Sequence, residues 1–167
     1  MKKREGVKVE LLDLRDYPLP FFEEPVSPNS KKEPYTNPAV VAWTKKVAEA
    51  DGFIVVTGEY NHGYPAVLKN AFDYVGSEWN KKVVGFVAYG SALGARAVEQ
   101  LRQVAVELQM APIRSAIHIP IAVYLSVMNE RTPVSPELFK PVQDAAGKFL
   151  DQLMWWGKAL KMARAQK

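Results

Sequence analysis

Gly52-Phe-Ile-Val-Val-Thr-Gly-Glu-Tyr-Asn-His-Gly-Tyr-Pro-Ala-Val-Leu-Lys-Asn-Ala-Phe-Asp-Tyr-Val75 reads as a buried strand, a sharp loop and a helix. Phe53 to Val56 is a short apolar run rich in β-branched residues, the composition of a parallel strand covered on both faces. Gly58 ends the strand. Pro65 suits the first turn of a helix, where a missing N–H costs nothing, and Leu68, Ala71, Phe72 and Val75 follow at helical spacing. Between strand and helix, Glu59-Tyr60-Asn61-His62-Gly63-Tyr64 leaves the carboxyl end of a strand, the side on which open α/β sheets hold ligands.

The pattern repeats outward from there. Downstream, Val83 to Tyr89 is a second buried-type strand of good β-formers, followed by the small-residue loop Gly90-Ser91-Ala92-Leu93-Gly94. The next helix carries Val98, Leu101, Ala105 and Leu108 on one face, and Ile113 to Ile119 makes a third apolar strand. Upstream, Asn37-Pro38 pairs a capping residue with a proline at the first helical position and opens a helix through Glu49, with Val40, Val41, Val47 and Trp43 as its apolar stripe. Val7, Val9 and Leu11 alternate with charge and predict an edge-type strand closing at Leu14. The Pro-, Glu- and Lys-rich run from Asp16 to Pro38 is long enough either to fold over a site or to move, and a mobile surface loop is the expectation. A last helix is predicted from Pro136 past Trp156, docking through Leu138, Val142, Phe149, Leu150, Leu153 and Leu160. Three strand–helix alternations with right-handed crossovers predict one parallel sheet wound on both faces.

Composition narrows the function classes. The 167 residues and 48% hydrophobic content fit one domain spanning 1–167 with a substantial core. Zero cysteines exclude disulfides, thiolate metal sites, iron–sulfur clusters and a cysteine nucleophile. His62 and His118 stand in different contexts without partners at ligand spacing, so no metal site is predicted. Basic and acidic residues are interspersed at a net charge of +4, the pattern of a solvated surface and not of a nucleic-acid footprint. No apolar run approaches the ~20 residues of a membrane helix, and a cytoplasmic location is the expectation.

At the organising loop the sequence resembles a known family. Glu59-Tyr60-Asn61-His62-Gly63-Tyr64-Pro65 with Leu68-Lys69-Asn70-Ala71 is similar to the Pro-Glu-Tyr-Asn loop and following helix of the NAD(P)H-dependent FMN reductases. The similarity continues through Ala88 to Arg96 and Glu99-Gln100-Leu101-Arg102. It implies a flavodoxin-like, doubly wound parallel sheet with helices on both faces. The family's first strand–helix unit and its Gly-Ser-x-Arg phosphate loop have no counterpart in the sequence, so the strand at Val7 to Leu14 corresponds to the family's second. Two accounts follow, a start lying downstream of the true one or a shortened relative whose strands re-pair, and an in-frame upstream extension carrying that unit is the expectation. The resemblance also implies FMN and NAD(P)H as cofactors, with Glu59, Tyr60, Asn61, His62, Gly63, Tyr89, Gly90 and Ser91 holding the flavin ring. No side-chain nucleophile is implied, because the cofactor carries the chemistry. Position 58 is Gly where the family usually has Pro.

The residues themselves suit that role. A glycine at 63 lets the backbone approach a flat ring closely, and N–H groups ahead of a helix N-terminus favour electron-rich atoms. Taken alone, His62 reads as a solvated loop histidine, His118 as a structural strand residue, and Trp155-Trp156 as packing or interface residues. Arg96 has two readings, a contact for the extra phosphate of NADPH or plain surface. At the level of the whole protein three functions stand. The first is an oxidoreductase passing hydride from NAD(P)H through FMN to quinones, azo dyes, metal oxyanions or free flavin. The second is a flavin-poor oligomeric or regulatory module of the same descent. The third is a flavodoxin-type electron carrier, which the basic pI of 9.2 disfavours. A homodimer or homotetramer is expected, with apolar surface offered by Leu68, Phe72, Tyr74 and Trp79.

Overall fold

A computed structural model describes residues 5–130 and 134–166. Eight regular elements follow in order: α1 (Pro38–Glu49), β1 (Gly52–Gly58), α2 (Ala66–Asp73), β2 (Val83–Tyr89), α3 (Ala95–Glu107), β3 (Ala111–Ile119), α4 (Ile121–Glu130) and α5 (Gln143–Ala165). The strands form one parallel sheet in the order β1-β2-β3, with Gly52 opposite Val83 and Gly58 opposite Tyr89. Between the rungs of Val84 and Phe86 the β3 register shifts.

Alternation along β2 sorts the core into two layers. Val84, Phe86 and Ala88 face a cluster built with α1, α2 and α3, in which Val40, Trp43, Val47, Phe72, Trp79, Val98 and Leu101 are buried. Val83 joins Ile113, Ile117, Phe149 and Leu153, with Val87 packed against them, so that α5 covers the opposite face. The doubly wound arrangement is as predicted, but β1 is covered on both faces only in part. Phe53 and Val55 pack against the three-helix layer and Ile54 against the α5 layer, while Val56 is 62% exposed. The reason is position: α5 lies over β2 and β3 and does not extend across the upper part of β1.

Several local expectations are corrected. Residues 7–13 form no strand. The expected apolar face is not the packed one: Val9 is 40% and Leu11 89% exposed, while Leu12 and Leu14 pack on the core, because a period of two names two faces without fixing which meets the core or what pairs with the segment. The run from Tyr17 to Tyr35 is not a free loop. The Asn70 amide accepts from Phe22 N at 2.8 Å and donates to Pro20 O at 2.7 Å, and Tyr17, Leu19, Phe22 and Tyr35 pack on the core. It therefore covers the helical layer. In α1, Trp43 is buried and Val41 exposed, and the Trp43 indole N–H reaches Ala71 O at 2.8 Å. Pro65 caps α2 from outside the helix, which stops at Asp73. The last helix begins later than predicted: Pro136–Val142 is a 3₁₀ segment containing Pro141, and α-helical geometry starts at Gln143. Phe72, Tyr74 and Trp79 are each 3% exposed, so the apolar surface assigned to self-association is already used inside the chain.

Candidate functional site

The predicted loops lie side by side because their strands pair in register. Glu59 N donates to Tyr89 O at 2.9 Å, extending the β1–β2 pairing into the loops. Tyr60 and Gly63 then exchange backbone hydrogen bonds at 2.8 and 3.0 Å, with Asn61 and His62 between them at φ 48° and 77°. This is a two-residue hairpin turn of the mirror-image kind, which requires positive φ at both central positions. Asn suits such a position because its short polar side chain tolerates the left-handed region. The positive-φ positions of the turn are thus Asn61 and His62, and Gly63 lies outside that region. A Cβ at Gly63 would meet only the end of the Gln100 side chain, 3.1 Å away.

The second loop is anchored from below. Gly94 has φ 70°, and a Cβ there would lie 2.5 Å from Ala88 Cβ and 2.8 Å from Tyr89 N, so no side chain fits where the loop turns into α3. Gly90 lies in the cleft between the loops and Ser91 is exposed at the rim. Leu93 O accepts from His118 Nδ1 at 2.9 Å, and since a carbonyl only accepts, that nitrogen carries the proton.

The eight predicted residues do not share one role. Tyr60, Asn61, His62 and Ser91 are exposed, whereas the Glu59 side chain is 2% exposed and turned inward. Its carboxylate accepts from Arg96 N at 3.1 Å and Arg96 Nε at 2.5 Å, with an ion pair to Arg96 Nη2. The guanidinium bond and the backbone N–H groups at the start of α3 hold this carboxyl below the usual carboxylate range. Arg96 Nη1 also lies 2.6 Å from His62 Nε2; as arginine only donates, His62 Nε2 accepts. One ion pair thus clamps the hairpin to α3, a link that neither earlier reading of Arg96 contained. Sequence reasoning had the two loops but not this link, because thirty-six intervening residues separate Glu59 from Arg96.

It also missed Tyr124. Its ring stacks on Tyr89 with centroids 5.1 Å apart and planes 17° apart, presented by α4, which follows Pro120. The available signal was Pro120 ahead of a helix-length run; the almost wholly apolar composition of Ile121 to Met128, broken only by Ser126, hid it. Gly58 lies beneath Tyr60 and Tyr89, where a Cβ would be 3.1 Å from each ring. Side-chain-free floor, flanking tyrosine rings and the exposed hairpin at Asn61 and His62 suit a flat ring with polar edges, so the residues present fit the ring end of a flavin. A matching phosphate loop does not occur among the described residues. No three His, Asp or Glu side chains converge there as metal ligands, and no described helix is long and apolar enough to cross a membrane.

Parallel α/β topology with its loops gathered at the carboxyl ends of neighbouring strands defines a flavodoxin-like domain. Superposition on FerB, a flavoenzyme NAD(P)H:(acceptor) oxidoreductase from Paracoccus denitrificans, agrees on the fold, with a TM-score of 0.52 at 19% identity over 74% of this chain and 76% of that one. The family model for NADPH-dependent FMN reductase matches residues 1–123. The chain is 42% identical over 123 residues to an NAD(P)H-dependent FMN reductase of Schizosaccharomyces pombe, covering 72% of this chain and 62% of that protein. It is 35% identical to the corresponding enzyme of Saccharomyces cerevisiae, covering 70% and 64%. The chain belongs to the NADPH-dependent FMN reductase family. It spans less than two thirds of the length of these curated relatives.

Proposed function

We propose that this chain carries the ring-binding part of an FMN-dependent NAD(P)H oxidoreductase that reduces small acceptors, quinones first among them. Family membership supports the reaction type, and a relative named NAD(P)H:quinone oxidoreductase from Solanum tuberosum, 33% identical over 109 residues, supports the acceptor class. Azo dyes, metal oxyanions and free flavin are acceptors of the same electron-transfer kind. The observation that carries the proposal is the hairpin at 60–63 fastened to α3 through Glu59 and Arg96 beside the Tyr89 to Gly94 loop. A bound flavin would supply hydride acceptance and onward electron transfer. The chain's own part is positional. Tyr60, Asn61 and His62 border the ring, Gly90 and Ser91 present backbone from the neighbouring strand, and Tyr89 with Tyr124 walls one side against water. Glu59 and Arg96 act through the loops they hold together. Self-association as a homodimer or homotetramer and a cytoplasmic location belong to the same proposal.

A second reading is a flavin-poor oligomeric or regulatory module of the same family. Titration with FMN, followed by flavin fluorescence quenching, separates the two. Saturable FMN binding with NAD(P)H oxidation by a quinone supports the oxidoreductase. A folded chain that neither quenches FMN nor oxidises NAD(P)H when FMN is supplied would establish the second reading.

A further inference from the structure

We infer that the groove between α3 and β3 is a docking site for a phosphate of the nicotinamide dinucleotide, on the far side of the ring loops from Glu59. The inference rests on the oxidoreductase reading for the identity of the dinucleotide, but its geometry stands independently. The open groove offers about 430 Å³ between Val98, Glu99 and Arg102 of α3 and Arg114, Ala116 and His118 of β3. Alternation along the strand places 114, 116 and 118 on one face, where Ala116 packs towards the helical layer and leaves room beneath the charged side chains.

The register shift in β3 builds the cationic end. It falls between the rungs of Val84 and Phe86, where Pro112 and Ala116 are the partners on β3. Arg102 reaches across from α3 to two carbonyls within the irregular stretch, donating from Nη1 to Ile113 O at 2.6 Å and from Nη2 to Arg114 O at 2.8 Å. Its guanidinium is thereby fixed with donors to spare. Arg114 is exposed and has no ion pair among the described residues, and Glu99 is the one acidic residue lining the groove. Two guanidinium groups on one groove, one immobilised and one free, suit a phosphate, which accepts several N–H bonds at once. A bulge of this kind commonly re-aims a side chain beside a functional site.

The groove also opens where a dinucleotide would need it. His118, at the other end, holds Leu93 O in the second ring loop. From His118 to Arg114 is four strand residues, roughly 13 Å, a span that lets a nicotinamide at the ring loops and a phosphate at Arg114 belong to one molecule. Arg96, by contrast, is engaged by Glu59 and His62.

Calorimetric titration of this chain with NADP⁺ tests the inference. Arg114→Gln should weaken NADP⁺ about tenfold, the loss expected for one charge-assisted contact, while Lys45→Gln, the same charge change on α1, should leave it unchanged. Equal weakening by both variants would reduce the effect to net charge, and no weakening by Arg114→Gln, or no NADP⁺ binding by the parent, would overturn the inference. FMN and riboflavin titrations on the same proteins identify whose phosphate is held. Loss of the FMN preference over riboflavin in Arg114→Gln, with NADP⁺ unaffected, would assign the groove to the flavin and refute the dinucleotide. Failure of flavin binding with the NADP⁺ result intact would count against the proposed function alone.

Discussion

Two glycines that look alike in sequence carry opposite demands. Gly94 turns the chain into α3 with φ 70°, and a Cβ there would run into Ala88 and Tyr89. Gly94→Ala combines a left-handed backbone with overpacking and should cost about 3 kcal/mol in urea unfolding. Gly63 is outside the positive-φ region and faces a flexible glutamine, so Gly63→Ala should stay within about 1 kcal/mol of the parent. Asn61→Ala puts an ordinary side chain at φ 48° and should cost about 1 kcal/mol, with a larger effect on the hairpin than the glycine change. If Gly63→Ala is the most damaging of the three, the hairpin geometry described here is wrong.

Among the elements, α1 is locked to the sheet by a buried lysine. Lys82 is 6% exposed and donates Nζ to Val47 O at 2.7 Å and Ala48 O at 2.9 Å, closing the carboxyl end of the helix. Burial, with Arg164 adding repulsion, pushes this ammonium down to about 8 from an ordinary 10.5. Between those values the unfolded chain binds more protons at Lys82 than the folded one, so stability should rise with pH across that window. The tyrosines pushed upward by burial, Tyr35, Tyr64, Tyr74 and Tyr89, act in the opposite sense above about pH 10. Urea midpoints measured from pH 8 to 10 should therefore climb for the parent and stay flat for Lys82→Met; a flat parent curve would show that the lysine is not desolvated. The segment laid over α1 and α2 gives a second test. Asn70→Ala removes both of its amide contacts, and limited proteolysis should then cut between Tyr17 and Tyr35 at least several-fold faster, with the rest of the domain intact.

For the whole molecule, the proposed self-association would use other apolar surface than the helix face first expected. Trp155 and Met162, seven residues apart on α5, are each 65% exposed, and Trp156 is 40% exposed. Large exposed apolar side chains on one helix favour a partner surface. Sedimentation at micromolar concentration should give a dimer or tetramer for the parent and a monomer for Trp155→Lys combined with Met162→Lys. An oligomer that survives both changes would place the contact elsewhere, with the edge of β1 that carries no strand among the described residues the next surface to probe.

The sequence by itself determined the alternation of β1, β2 and β3 with α1 and α3, and with it the two loops of the site. These follow from local periodicity, caps and glycines, which depend only on neighbours in the chain: α1 begins and ends at Pro38 and Glu49 as read, and β2 at Val83 and Tyr89. Tertiary structure alone decided which way Glu59 points, that Arg96 serves it, that Tyr124 stacks on Tyr89, and that residues 7–13 pair with nothing in the sheet. Periodicity says which face of an element is apolar, but a hydrogen bond across 37 residues, or a ring contact across 35, depends on how the layers close over one another. That closure is a property of the packed whole, and no window along the chain contains it.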